Sequence, residues 1–187
     1  MTTTANIDLG KLLIDQLQWH WDNQLRPRLD GLSDAEYFWR PVPNSWSVHR
    51  RGESTAPVQA GSGDFTIDFA FPEPTPAPVT TIAWRLGHLL VGVYGARLAT
   101  HFGGAPADYM SYDYPGTATE ALSRLDEMHS AWIAGVASLD ANGLQRPCGE
   151  EGFEQEPMAA LLQHINREVI HHGAEIALLR DLWANQA

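Results

Sequence analysis

The chain has 187 residues with 44% apolar and 19% charged content, a globular balance that excludes disorder and suits a single domain with its own core. Its net charge of −11, from 23 acidic and 12 basic residues, leaves no basic face for a phosphate backbone and argues against nucleic-acid binding. The single cysteine, Cys148, rules out an internal disulfide.

Apolar periodicity predicts four long helices. The first covers about 7–28, with Pro27 straining its last turn. A short helix is expected at "SDAEYFW", where Ser33 and Glu36 have capping-box spacing. The second long helix covers about 80–102 and is apolar on nearly every side; Gly87, Gly92 and Gly95 within it permit close approach of a neighbour. The third covers about 118–139 behind a second capping box, Thr117 and Glu120. The fourth runs from about Pro157 to Trp183, with proline at a favourable first position.

Between the first two long helices lies the Pro-, Gly- and Ser-rich connection "RPVPNSWSVHRRGESTAPVQAGSGDFTIDFAFPEPTPAPV". Inside it "DFTIDFAF" alternates as a strand or hairpin arm does. A connection this long in a compact domain is usually functional or mobile. There is no internal repeat and no domain boundary, so the expected fold is all-α: one four-helix bundle over 1–187 with a decorated crossover. No apolar run reaches the length of a membrane span, and the N-terminus does not read as a signal peptide, so a cytoplasmic location is expected.

The last helix carries the chemistry. At about 100° per residue, Leu161, Ile165, Ile176 and Leu179 form one arc, and Glu168 and His172 fall in its middle, one turn apart. Gln163, Arg167 and Asp181 lie opposite, and His164, His171 and Glu175 lie on a flank. A buried carboxylate and imidazole are costly unless paired or bound to metal. An i, i+4 pair of such donors is a recurrent metal-site geometry in bundles, completed by a ligand from a facing helix. His88 in "WRLGHLL" is the candidate, giving a two-histidine, one-carboxylate set suited to Zn²⁺, Ni²⁺, Fe²⁺ or Mn²⁺. The competing reading has His88 as a satisfied core histidine and Glu168–His172 as an ordinary helix pair. His20, His49, His101 and His129 read as surface or packing residues, with His20 and Trp21 an alternative pocket mouth, and Cys148 reads as a structural thiol.

"HINREVIHHGAEIALLRDL" resembles the last-helix signature of the DinB-like superfamily, in its DinB-2 branch, and "TIAWRLGHLL" and "DAEYFWRPVPNSWSVHRR" are similar to two further segments of that family. The resemblance implies an up-down-down-up four-helix bundle, a homodimer, and a divalent-metal site of three histidines. His88 and His172 match two of these, while Glu168 stands where the family usually has histidine. Ala174 and Glu175 also depart from the pattern's glycine and glutamine; Glu175 is then an outer acceptor orienting a histidine, and His164 and His171 are outer groups or alternative ligands. Some relatives are metal-dependent thiol S-transferases that use mycothiol, bacillithiol or glutathione. The resemblance therefore implies a detoxifying thiol transfer to a small-molecule substrate; a metal-dependent hydrolase and a non-catalytic binding bundle are the alternatives. Trp39, Trp46 and Tyr112, with Phe65, Phe69 and Tyr114, are the expected substrate-pocket walls.

Overall fold

The structure is a computed structural model and describes residues 7–186. The first helix, α1 (Leu9–His20), starts on Asp8, whose side chain accepts from the Lys11 amide. It does not run as a regular α-helix to residue 28. It widens into a π-helical stretch over Trp21–Leu25 and tightens into a 3₁₀ turn over Arg26–Leu29. Pro27 sits in that turn; its ring removes one backbone donor there.

The short helix α2 (Asp34–Tyr37) and the long helix α5 (Ala118–Ala137) each begin on half of a capping box. Ser33 accepts from the Glu36 amide and Thr117 from the Glu120 amide. The two glutamates do not reach back: Glu36 binds Arg180 and Glu120 binds Arg124, because a guanidinium is the stronger partner for a carboxylate.

The long connection holds three strands rather than one: β1 (Val48–Arg50), β2 (Val58–Ala60) and β3 (Phe65–Phe69), in the antiparallel order β1-β3-β2. Ile67 stands opposite both Val48 and Ala60 in the register. The sheet is clamped to the start of the second long helix. The Trp46 amide donates to Val79, the Thr81 amide to Trp46, and Ser47 Oγ lies 2.9 Å from Thr81 Oγ1.

That second long helix is α3 (Ile82–His88), a π-helical stretch (Leu89–Gly95) and α4 (Ala96–Phe102) in one run. The change of pitch falls immediately after His88. Two of its glycines are required by close approach. A Cβ on Gly87 would lie 2.9 Å from Ile67 Cδ1 of the sheet, and one on Gly92 only 2.1 Å from the Tyr109 hydroxyl. A short helix α6 (Ala141–Gln145), absent from the sequence reading, precedes α7 (Met158–Ala184), for which Pro157 is the N-cap rather than the first helical residue.

The helix α7 packs against α1, α3, α6 and the π-stretch after His88, while α5 packs on α1, α3 and α4. One buried cluster, including Leu17, Leu86, Leu90, Trp132, Ile165 and Ile176, lies between them. Arg180 of α7 ties it to the turn after α1, holding the nearly fully buried Glu36 at 2.7 Å and donating to the carbonyls of Arg28 and Asp30. The fold is therefore helix-rich with a small antiparallel sheet, and not all-α as the sequence implied. Among the described residues no helix is long and apolar enough to cross a membrane.

Candidate metal centre

Leucine and isoleucine spacing turns the Glu168–His172 side of α7 toward the core, and the sheet-clamped α3 presents His88 to it. His88, Glu168 and His172 each offer a ligand atom, and the three atoms lie within 4.8 Å of one another. His172 Nε2 is 3.4 Å from Glu168 Oε2. Two donors on one tetrahedral ion with bonds of about 2.0–2.1 Å stand roughly 3.4 Å apart, so this edge already has the spacing an ion demands. The His88 and His172 rings meet edge-on, with centroids 4.7 Å apart. The His172 side chain is 9% exposed and that of Glu168 25%, so of this pair Glu168 is the more open.

The outer nitrogens of both rings are engaged. His172 Nδ1 is 2.7 Å from Glu175 Oε2, and His88 Nδ1 is 2.6 Å from the Tyr109 hydroxyl. A carboxylate can only accept, so His172 Nδ1 carries the proton and Nε2 keeps its lone pair toward Glu168. Arg85 Nη1 lies 3.2 Å from the same Nδ1 but 2.9 Å from Glu175 Oε2, and it is the carboxylate to which it donates.

Electrostatics favour neutral imidazoles. Burial pushes the His88 pKa down to about 3, with His172, Arg85 and Arg97 adding to the effect. Burial also lowers His172, opposed by its bond to Glu175. Two neutral imidazoles and one carboxylate make a donor set of net charge −1 whose chemistry fits a divalent cation.

A second trio, His171, His172 and Glu175, also has its donor atoms within 4.8 Å. It is the weaker candidate. Arg85 already neutralises Glu175, and the His172 atom facing Glu175 is the one that bears the proton. His171 is exposed and stands 3.4 Å from Glu175. His164 lies 3.6 Å from Glu168 and accepts from Arg167, at the rim of the site.

Two cavities flank these residues. One of about 440 Å³ has His88 in its wall beside Trp46, Phe69, Trp84 and Tyr109. The other, about 520 Å³, has a mixed wall in which Arg97, Arg167 and His164 stand beside Glu150, Glu151 and Glu156 and apolar side chains such as Phe153 and Leu161. A larger depression of about 690 Å³ between α1 and α7 is an open groove that reaches His171 and none of the three donors.

Of the expected pocket walls, Trp46 and Phe69 line the cavity on His88; Trp39, Tyr112, Phe65 and Tyr114 do not. Trp39 packs edge-on against Trp183, and Tyr112 packs against Tyr114 under Arg124. These placements follow from where the connection folds back, which no local pattern encodes. His20 and Trp21 form no pocket mouth at the site: Trp21 stacks on His129 at 3.8 Å, and His20 is buried against Gly173. His49 and His101 are hydrogen-bonded to Asp68 and Glu150. Cys148 is a free, buried thiol whose Sγ lies 3.3 Å from the Phe153 carbonyl.

Tyr109 and Arg85 were missed by the sequence reading. Arg85 was within reach of it, being one turn before His88 on the same helix face. Tyr109 lies in the same loop between α4 and α5 as Tyr112 and Tyr114, and no local pattern distinguishes it from them.

The arrangement defines a helix-rich protein in which a histidine from one helix meets an acid–histidine pair from another. A family model described as the DinB superfamily matches residues 16–176, and the chain belongs to that superfamily. No curated protein and no solved structure matches it.

Proposed function

We propose that the chain is a divalent-metal protein whose ion is held by His88, Glu168 and His172, and that it transfers a low-molecular-weight thiol of the mycothiol or bacillithiol type to an electrophilic small molecule. The observation that carries this reading is the convergence of three donor atoms whose two rings are already oriented from behind. A divalent cation bound there would act as a Lewis acid, lowering the pKa of a thiol so that it reacts as thiolate.

The protein's own residues set the stage. Glu175 fixes the tautomer of His172 and Arg85 fixes Glu175, while Tyr109 fixes the ring of His88. Glu168, more open than His172, lies beside His164 and Arg167, which line the second cavity, and we assign the thiol's approach to that side. The contacts among α1, α3–α4, α5 and α7 support an up-down-down-up four-helix bundle, which we take as a single domain acting as a cytoplasmic homodimer.

Elemental analysis of untagged protein tests the metal. About one ion per chain, lost in Glu168→Ala and in His172→Ala, is the expected result. No uptake after reconstitution with Zn²⁺, Ni²⁺ or Mn²⁺ would leave a non-catalytic bundle. Given metal, turnover of an electrophile only when thiol is present supports transfer; thiol-free ester or amide hydrolysis would replace it with a hydrolase.

A further inference from the structure

We propose that the cavity on His88 binds an uncharged, apolar molecule bearing an aromatic ring or alkyl chain, and that it discriminates against anions. This deepens the preceding reading, since such a molecule is the electrophile that would meet the thiol. The cavity's preference itself does not depend on a metal.

Its walls come from separate parts of the chain: Trp46 ahead of β1, Val58 and Ala60 of β2, Phe69 of β3, Trp84 of α3 and Tyr109 of the following loop. The rings brace one another edge to face. Phe69 lies 5.1 Å from Tyr109 and 5.7 Å from Trp84, each between ring centroids. Such packing gives a rigid apolar wall rather than a collapsible gap.

Two of the polar side-chain atoms on that wall already have protein partners. Trp84 Nε1 donates to the Asp68 carbonyl at 2.9 Å, and the Tyr109 hydroxyl is committed to His88. A polar ligand would therefore gain few partners for the water it loses. No lysine or arginine lines the cavity; its one ionisable residue apart from His88 and Tyr109 is Glu73, exposed at the mouth. An anion would meet a carboxylate there and find no cation inside. In the second cavity, by contrast, Arg97 and Arg167 are present, beside Glu150, Glu151 and Glu156.

Phe71, 82% exposed, and Met110, 60% exposed, continue the apolar surface outward. An exposed phenylalanine stacked along Phe69 is costly to leave in water, and it makes an apolar entry path. Ala60 and Ala70 keep the cavity about 440 Å³ in volume, within the range of small-molecule sites.

A matched pair of probes tests the proposal on the full-length, chelator-treated protein: neutral N-phenyl-1-naphthylamine and its sulfonated analogue 1-anilinonaphthalene-8-sulfonate. Emission is excited directly in the naphthyl band. Saturable one-to-one binding of the neutral probe is expected, with the sulfonate at least tenfold weaker. Val58→Phe and Met110→Phe, which fill the cavity and its mouth, should each weaken the neutral probe severalfold or more, and Glu73→Gln should narrow the gap between the two probes. Met110 is exposed, so its variant remains informative should the strand substitution disturb folding. Equal binding of the two probes, no binding of either, or unchanged affinity in the filled variants would overturn the proposal. The readout needs no ion: binding in a protein that takes up no metal would sink the metal reading and leave the cavity assignment standing, and the reverse result would separate them the other way.

Discussion

The hydroxyl of Tyr109 lies 2.6 Å from Nδ1 of His88, and Gly92 is the residue that lets it arrive there, since a Cβ at that position would stand 2.1 Å from the same oxygen. The loop after α4 thereby fixes a ring on the helix before it. Tyr109→Phe should leave the fold intact and weaken divalent-metal affinity by about tenfold, the lower end of the effect of removing such an outer partner. Competition against a chromophoric chelator measures it. Gly92→Ala, which displaces the tyrosine, should act in the same direction, and unchanged affinity in both would remove Tyr109 from the site.

Glu168 is the carboxylate among the three converging donors, and the substitution Glu168→His separates its two readings, ligand and bystander. As a ligand, it should be replaced without loss of the ion, and the preference should move from Mn²⁺ toward Ni²⁺ and Zn²⁺, because imidazole is the softer donor. Competitive loading followed by elemental analysis gives the ratio. A ratio identical to that of the wild type would show that residue 168 does not touch the ion.

The Arg180–Glu36 pair is the clearest stability determinant outside the site. Glu36 is 4% exposed at its side chain and is paired at 2.7 Å, so Arg180→Ala would leave a buried carboxylate alone. The expected loss is about 3–5 kcal/mol in urea unfolding. Adding Glu36→Leu should recover a large part of it, which a merely additive pair of defects would not do.

His129 makes stability depend on pH. It stacks on Trp21 and its Nδ1 lies 3.0 Å from the Tyr94 hydroxyl, and burial lowers its pKa to about 4 although Asp22 and Asp126 oppose the shift. Unfolded histidine titrates near about 6.5. Between these values the unfolded chain binds a proton that the folded chain refuses, so this contribution is complete above about pH 6.5, falls as pH drops and flattens below about pH 4. The loss is on the order of 3 kcal/mol. Urea midpoints across that range should show a shallower slope in His129→Gln; an unchanged slope would place the dependence elsewhere.

What the sequence determined is what periodicity and short spacing encode. The inward arc on α7 put Glu168 and His172 together because they are one turn apart on a helix whose neighbours at Ile165, Val169 and Ile176 must be buried. Helix starts at Ser33 and Thr117 were legible for the same local reason, and so was the strand over Phe65–Phe69. The tertiary structure decided whatever depends on which distant segment arrives at a given face. The glutamates of both capping boxes turned away to arginines, one of them 144 residues distant along the chain. Two strands without strong alternation were drawn into pairing because β3 offered two edges. Tyr109, and not the anticipated Trp39 or Tyr112, reached the cavity on His88, because the loop after α4 folds back onto a glycine that leaves it room.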